Sequence, residues 1–399
     1  MNAPLPESVR KALETVTLDD KYALDSGRAF MSGVQALVRL PMLQRARDVR
    51  AGLNTAGFIS GYRGSPLGGY DQALWAAKKH LEANHIVFQP GVNEELGATA
   101  VWGTQQMDLY PQGAKYDGVF GIWYGKGPGV DRCSDVFKHA NMAGTSRHGG
   151  VIAIAADDHV SKSSTAPHQS DHIFKACGLP VFFPSNVQDI LDMGLHAIAM
   201  SRFSGVWSGM KTIQEVVESS SSVIVDPDRV KIVMPEDFVM PPGGLHIRWP
   251  DAPLEQEARL MDYKWYAALA YVRANKLNYN VIENRKGYSC WSREDPGCGF
   301  VIWKSKAGKT MPPVVVRELI QTGQTAKQVT GFKGRSGRSF RAKLALMQNE
   351  EGRWRVEFDE AWAKEGAKPP EGEDAGEGAA VAPAAGVAPA VAGGAVEAA

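Results

Sequence analysis

In GVFGIWYGKGPGVDR (residues 118–132), an apolar and aromatic run is followed directly by a glycine-rich turn. The run is typical of a buried strand. Four similar runs occur in the first half of the chain: AGFIS (56–60), HIVFQ (85–89), VIAIAA (151–156) and PVFF (180–183). Stretches with helical periodicity alternate with them, at 71–83, 94–108, 131–144 and 187–201. This alternation predicts an α/β fold, a parallel sheet covered by helices.

Four turns of unusual composition follow these strands. They are GYRGSPLGG (61–69), QPGVNEELGATAVWG (89–103), YGKGPGVDR (124–132) and ADDHVSKSSTAPHQSD (156–171). Right-handed crossovers put such turns on one edge of a parallel sheet, where α/β proteins bind ligands. Taken alone, the first is better explained as an ordinary Gly/Pro-rich turn. The four together predict a ligand site.

Glu94 opens a predicted helix whose next residues are small and apolar. A carboxyl group placed among alanine, glycine and valine side chains is partly desolvated, which suits it to sharing a proton with a ligand. A carboxylate that only caps the start of the helix is the simpler alternative, and taken alone Glu94 fits that role better.

The charge of the chain is unevenly distributed, although its formal net value is zero. Residues 1–284 carry 27 basic and 30 acidic side chains, and residues 346–378 carry 4 basic and 10 acidic ones. Residues 285–345 carry 13 basic and 3 acidic side chains, a net charge of +10. A module this basic favours an anionic partner over a purely structural role.

The four turns resemble a known family. GYRGSPLGGYD (61–71), VNEELGATAVWGTQ (92–105), YGKGPGVDR and ADDHVSKSSTAPHQSD are similar to the N-terminal part of bacterial indolepyruvate ferredoxin oxidoreductases. These enzymes use thiamine diphosphate to decarboxylate a 2-oxoacid oxidatively to an acyl-CoA. The resemblance covers about residues 20–286 and implies a fold of the pyrimidine-binding type.

The resemblance also implies roles for single residues. Glu94 matches the glutamate that hydrogen-bonds the pyrimidine ring, and Ser65 falls where the family places a hydroxyl near the substrate carbonyl. Tyr62, Gly64, Pro66, Gly125 and Gly127 would line the cofactor. The substrate side would include four polar residues: Asp158, Ser163, Ser164 and Gln169. Pyruvate-specific relatives carry an arginine for the substrate carboxylate where this chain has Asp157 and Asp158, which puts carboxylate recognition by that route in doubt.

Two motifs of the complete enzymes are not found in this sequence. The family holds Mg²⁺ and the diphosphate with a Gly-Asp-Gly motif, and no such tripeptide occurs; nor is there a cysteine cluster for an iron–sulfur centre. Cys133 and Cys177 are expected to be buried. We therefore expect the pyrimidine half of a site, inactive alone, whose partners would be a diphosphate-binding domain or subunit and ferredoxin.

The basic region resembles a second family. Cys290 and Cys298 have the spacing of half a zinc ribbon, but a closed site needs four ligands and no histidine lies nearby, so zinc is not expected. GYSC (287–290), GCGFVIWK (297–304) and GFKGRSGRSFRAKLAL (331–346) are similar to the C-terminal repeat of bacterial type IA DNA topoisomerases. That small β-rich module binds single-stranded DNA.

The second resemblance implies a set of nucleic-acid-binding residues that combine stacking faces with positive charge. They are Tyr288, Trp291, Trp303, Lys304, Lys306, Lys309, Lys333, Arg335, Arg338 and Arg341. Phe300, Phe332 and Phe340 are further aromatic candidates. The alternative is that aromatic side chains fill a small core, and about half of them are expected to do so. A DNA-binding module on a vestigial α/β domain is therefore the second functional hypothesis.

The sequence predicts four segments: a pyrimidine-binding domain (1–230), a connector arm (231–286), the topoisomerase-like module (287–363) and a disordered Ala/Pro/Gly-rich tail (364–399). The abrupt junction near residue 287 indicates a fusion of two gene fragments, either a natural recombinant or a genome-assembly or gene-model chimera, and sequencing across that junction would distinguish the two. Four cysteines, no apolar run of ~18–20 residues and no apolar signal core at the N-terminus favour a cytoplasmic protein without a membrane partner.

Overall fold

The chain divides into two compact units, residues 1–280 and residues 281–399. In the computed structural model the described residues are 7, 14–161, 166–249, 251–277, 281–283, 287–290, 301–334, 337–348 and 354–359. The second unit begins six residues before the junction expected at residue 287, because the strand at 281–283 pairs with the next strand. The tail expected at 364–399 lies outside the described residues.

The first unit is built on a parallel sheet, as the alternating pattern predicts. Its strands are β1 (Arg28–Ser32), β2 (Thr55–Gly61), β3 (Ile86–Phe88), β4 (Gly118–Lys126), β5 (Val151–Asp157), β6 (Val181–Phe182), β7 (Ser208–Ile213) and β8 (Ser220–Ile224). Six of them form one sheet in the order β3-β2-β4-β5-β7-β6, with every pairing parallel. β1 and β8 form a separate antiparallel pair.

Helices cover this sheet. They are α1 (Asp20–Ala23), α2 (Gly33–Arg50), α3 (Tyr70–Ala76), α4 (Lys78–Ala83), α5 (Glu94–Thr104), α6 (Gly127–Arg132), α7 (Ser134–Ala143), α8 (Asp171–Ala176), α9 (Val187–Ser204), α10 (Gln214–Val217), α11 (Pro253–Arg259) and α12 (Trp265–Ala274). Every residue of β5 is buried. This explains why its sequence is continuously apolar rather than alternating, because a strand covered on both faces has no solvent side.

Several element boundaries differ from the sequence-based prediction. The helix predicted at 71–83 is two helices, α3 and α4, and the one predicted at 131–144 starts at Gly127 and breaks at Cys133. The helix predicted at 94–108 ends at Thr104, before a 3₁₀ turn. The sequence predicts a glycine-rich turn over 124–132, but α6 already begins at Gly127 and includes Pro128 and Gly129.

Residues of the predicted connector arm pack onto the first unit. α11 and α12 are joined by a π-helical turn, Leu260–Lys264, and α12 lies against α9 with Tyr271 fully buried. The Lys264 ammonium donates to the carbonyls of Asn141 (3.2 Å) and Met142 (2.7 Å), at the last turn of α7. Burial lowers the pKa of Lys264 to about 7, because the charged form loses its hydration.

The second unit is β-rich, as predicted. It contains β9 (Val281–Glu283), β10 (Gly287–Cys290), β11 (Val301–Trp303), β12 (Ser305–Lys306), β13 (Lys309–Thr310), α13 (Pro313–Thr322), β14 (Val329–Lys333), β15 (Ser339–Ala342), β16 (Leu344–Gln348) and β17 (Trp354–Phe358). β9, β10 and β11 form one antiparallel sheet, and the remaining strands pair as hairpins. Gly323 ends α13 in the left-handed region, and Pro312 precedes its first residue.

A hydrophobic cluster gives the second unit its own core. Its largest members include Phe332, Leu319 and Ile302, each at most 1% exposed. Phe332 also packs against Phe340 and Phe358, with ring centroids 5.5 and 5.1 Å away. Among the described residues of the whole chain, no helix is both long and apolar enough to cross a bilayer.

Candidate functional site

The carboxyl ends of β2, β4 and β5 lie side by side. Gly61 is in register with Tyr124, and Lys126 is in register with Ala156. The turns that follow these strands therefore leave from one edge of the sheet. α5 begins at the same edge, because the N–H of Gly91 donates to the carbonyl of Gly61 at 2.7 Å. The structure thus brings the described residues of all four predicted turns to one edge of the sheet.

Glu94 is the first residue of α5 and is only 7% exposed. The helix does not depend on Glu94 for its cap, since the Asn93 side chain accepts from the N–H of Leu96 at 2.8 Å. The indole N–H of Trp123 donates to the backbone carbonyl of Glu94 at 3.0 Å, which ties this residue to β4. Capping therefore leaves the Glu94 carboxyl available for another role.

Helix α6 packs directly against the Glu94 side chain. A Cβ at Gly129 would lie 2.6 Å from Glu94 Cγ and 3.0 Å from its Oε1, so only glycine fits this position without a shift. From the same helix, Arg132 Nε lies 3.9 Å from Glu94 Oε2. Glycine is therefore required here because the carboxyl-bearing chain and the α6 backbone touch.

The turn at 61–69 carries three of the residues predicted to line the cofactor; the other two lie in β4 and α6. Tyr62 is 41% exposed, Ser65 is half-buried and Pro66 is buried; the Ser65–Pro66 peptide bond is cis. A Cβ at Gly64 would meet the aliphatic chain of Lys126 at 2.8 Å. The aliphatic part of the Lys126 side chain, at the end of β4, therefore packs against this turn.

Asp157, at the end of β5, is fully buried, and its hydrogen bonds are made within the protein. Its carboxylate accepts from the backbone N–H of Ser170 at 2.9 Å and from the Ser170 hydroxyl, and Lys211 Nζ lies 3.5 Å away. Lys211 also donates to Asp171 at 2.9 Å, and this hydrogen bond lowers the pKa of Asp171. The Asp157 carboxylate is therefore engaged by groups of this chain.

The predicted substrate-side residues are only partly brought together. Asp158 is buried at 4% exposure, next to Asp157. Gln169 is exposed, and its side-chain oxygen lies 3.2 Å from His172 Nε2. Ser163 and Ser164 lie outside the described residues, so their positions stay a prediction.

His168 is a residue of this edge that the sequence did not single out. Its Nε2 lies 2.9 Å from Asp131 Oδ2, and its Nδ1 lies 3.6 Å from Asp157 Oδ1 and 3.4 Å from the Ser170 hydroxyl. The histidine connects the fourth turn to α6, which belongs to the third. The only sequence signal was its place in a turn dense with acidic and hydroxyl residues.

The two cysteines of the first unit are buried, as expected. Burial raises the pKa of the Cys133 and Cys177 thiols, which keeps them protonated and unreactive. Across the part of the chain that the structure describes, no group of three or more His, Cys, Asp or Glu side chains is placed to hold a metal ion. Cys298 lies outside that part.

In the second unit the aromatic candidates separate into two groups. Tyr288 and Phe332 are buried in the core, whereas Trp303 is 50% exposed and Phe340 is 37% exposed. Trp291 and Phe300 lie outside the described residues. The exposed rings are therefore the ones whose faces a ligand can reach.

The basic candidates of the second unit differ in the same way. Lys306 is engaged within the module, since it pairs with Glu357 at 3.1 Å and lies 4.8 Å from the Phe358 ring centroid. Lys304 lies over the Tyr288 ring at 5.8 Å, and Lys309 is half-buried. Lys333, Arg338 and Arg341 are exposed, and Arg335 lies outside the described residues.

Comparison with known proteins finds relatives for both units. Residues 297–359 match the family described as the C-terminal repeat of topoisomerase. Over 237 residues the chain is 26% identical to the indolepyruvate oxidoreductase subunit IorA of Methanothermobacter marburgensis, a match that covers 58% of this chain and 34% of the relative. The chain thus spans about a third of the length of that curated relative.

A solved structure is also similar to the chain. It is a 2-oxoglutarate:ferredoxin oxidoreductase from Magnetococcus marinus with 2-oxoglutarate, coenzyme A and succinyl-CoA bound. The superposition covers 66% of this chain and 48% of that chain, with 15% identity and a TM-score of 0.45.

Proposed function

We propose that the first unit supplies the pyrimidine-binding half of a thiamine diphosphate site in an indolepyruvate-type 2-oxoacid:ferredoxin oxidoreductase. The observation that carries this proposal is the buried Glu94 carboxyl at the ligand edge of a parallel sheet, on a helix that Asn93 caps and against Gly129 of α6. The similarity to an indolepyruvate oxidoreductase subunit supports the substrate class.

The residues present fit an aminopyrimidine ring. A ring with both donors and acceptors needs a carboxyl group that can share a proton, and Glu94 offers one in a largely dry position. Tyr62 supplies an exposed aromatic side chain on the turn after β2. Gly125, Gly127 and Gly129 add no side chain to this edge, and a Cβ at each would clash with a neighbouring side chain of this chain. These residues would hold the ring, and Glu94 would hold its proton.

When bound, thiamine diphosphate supplies the nucleophilic carbon that attacks the 2-oxo group. The part of this chain is to orient the ring, exclude water and keep a proton at the Glu94 carboxyl. Ser65 would place a hydroxyl near the substrate carbonyl. The Asp157 carboxylate accepts a hydrogen bond from Ser170 and pairs with Lys211, so it has no role in substrate recognition in this proposal. A partner domain or subunit would bind the diphosphate and its Mg²⁺, and ferredoxin would accept the electrons.

Binding of 4-amino-2-methylpyrimidine, observed by ligand-detected NMR, tests the half-site without the rest of the enzyme. A probe with about eight heavy atoms gains enough energy only for ~mM affinity. We expect the intact chain to bind it and Glu94→Gln to weaken binding at least about tenfold, because the amide cannot share a proton with the ring. Glu95→Gln is the matched control, since Glu95 is exposed on the same helical turn and should bind as the parent does. Absence of binding by the parent chain, or equal binding by Glu94→Gln, would refute the assignment.

The second unit favours a second function, binding of single-stranded DNA. Trp303 and Phe340 offer exposed rings, and Lys333, Arg338 and Arg341 offer exposed positive charge. Base stacking on an aromatic ring contributes ~1–3 kcal/mol, and phosphate contacts make binding fall steeply with salt. The similarity to a topoisomerase repeat supports this proposal.

Fluorescence anisotropy with labelled oligo-dT tests this second function. We expect salt-sensitive binding that Trp303→Ala weakens about tenfold, because a stacking face is lost. Trp75→Ala is the control: this tryptophan of the first unit is also 50% exposed, so its removal should leave the affinity unchanged. A chain that does not bind at low ionic strength would rule out the DNA-binding proposal.

A further inference from the structure

Helix α6 is held from two sides. On one side Gly129 touches the Glu94 side chain and Arg132 faces its carboxylate; on the other, a Cβ at Gly127 would lie 2.3 Å from His168 Cγ and Nδ1. Asp131 then pairs with His168 Nε2 at 2.9 Å. Alternate residues of one short helix thus contact Glu94 and His168 in turn.

The histidine is itself fixed in place. It is 18% exposed, and its Nδ1 faces the fully buried Asp157 and the Ser170 hydroxyl. Asp157 also accepts from the Ser170 N–H, and this anchors the residues just before α8 to the end of β5. A ring held at both nitrogens in this way has little freedom to move away from α6.

We propose that His168 is a positioning residue for Glu94, acting through α6. It holds this helix against the Glu94 chain, so that the carboxyl keeps the rotamer in which it faces the ligand edge. The consequence for chemistry rests on the proposed function, whereas the packing of His168 against α6 does not. A flexible glutamate side chain loses conformational entropy when it binds a ligand. Because α6 restricts the Glu94 rotamer before binding, less entropy is lost on binding.

The test uses the intact chain and the 4-amino-2-methylpyrimidine probe. We expect His168→Ala to weaken probe binding about tenfold while adding nothing further in the Glu94→Gln background, because both substitutions act on the one contact between the Glu94 carboxyl and the probe. His168→Gln keeps a donor for Asp131 and should restore most of the affinity. His172→Ala is the control, since His172 is exposed and its Nε2 lies 3.2 Å from Gln169 Oε1, a contact that involves neither α6 nor Glu94. If His168→Ala binds the probe as tightly as the parent chain, the positioning role is wrong and the proposed function stands.

Thermal unfolding tests the packing of His168 against α6 without any probe. Gly127→Ala should lower the thermal unfolding midpoint strongly, because its Cβ would clash with Cγ, Nδ1 and Cβ of His168. In a His168→Gly background all three atoms are gone, so the same substitution should cost much less. Gly129→Ala is the control, since its clash is with Glu94 and should persist in that background. An equal loss for Gly127→Ala in both backgrounds would overturn the inference, whatever the outcome for the cofactor.

Discussion

The carboxylate of Asp48 is a buried charge that this chain satisfies completely. Arg202 donates to its two oxygens at 2.7 and 2.8 Å, and Gln44 and Thr55 donate at 2.8 and 2.6 Å. The pair joins α2 to α9, and its bidentate geometry leaves few lone pairs of the carboxylate unused. This network therefore fixes the two long helices on one side of the sheet.

Asp48→Ala should destabilise the first unit by ~3–5 kcal/mol, because the Arg202 guanidinium would be left half-buried without its partner. Thermal or denaturant unfolding measures the loss. Asp228→Ala provides the comparison, since Asp228 pairs with Arg50 at the surface, where ion pairs contribute little. Equal losses in the two variants would contradict the claim that burial makes the Asp48 network important.

Among single residues, the burial of Glu94 could be predicted from the sequence, but the contacts of His168 could not. The position of Glu94 follows from local features, a strand end and a helix start, and its burial follows from the small residues after it. The role of His168 depends on Asp131 and Asp157, which are 37 and 11 residues away in the chain and meet it only after the sheet has formed. No local pattern encodes that proximity.

At the scale of elements, two helices end in the same backbone conformation in different surroundings. Gly205 follows α9 with φ 74° and Gly323 follows α13 with φ 76°. A Cβ at Gly205 would lie 2.2 Å from the Leu245 carbonyl oxygen, whereas a Cβ at Gly323 meets nothing within 4 Å. The first site is thus limited by conformation and by space, the second by conformation alone.

Gly323→Ala should therefore cost only ~1–2 kcal/mol, the strain of a left-handed alanine, and Gly205→Ala should cost clearly more. The unfolding midpoints of the two variants, each followed by a signal from its own unit, check this order. If Gly205→Ala were the milder substitution, the close approach of α9 to the Leu245 segment would be wrong.

Strand β7 could not be predicted from the sequence, for a physical reason. β7 (Ser208–Ile213) contains serine, lysine and threonine, yet it lies inside the sheet. Ser208 and Thr212 donate to buried carbonyls at 2.9 Å, and Lys211 pairs with Asp171. A strand whose polar groups are satisfied internally does not show the apolar pattern by which buried strands are recognised. The parallel sheet itself, by contrast, could be predicted from β2, β4 and β5.

At the scale of the whole molecule, a net charge of zero conceals two units of different character. The first carries the sheet, the buried Glu94 and the similarity to an oxidoreductase subunit. The second carries the excess of basic residues, its own core and the similarity to a topoisomerase repeat. Composition separates these units near residue 285, while the strand at 281–283 places the structural boundary slightly earlier. Side-chain composition changes at the junction, but backbone pairing starts before it.

In the proposed function, the Glu94 carboxyl shares a proton with a ring nitrogen of a bound aminopyrimidine. The most direct measurement is the ¹⁵N chemical shift of ring-labelled 4-amino-2-methylpyrimidine in the presence of the intact chain and of Glu94→Gln. We expect one ring nitrogen to move upfield on binding to the parent chain, as hydrogen bonding to a carboxyl requires, and not to move with the glutamine variant. An equal shift in both, or no shift with the parent chain, would contradict the assignment of Glu94.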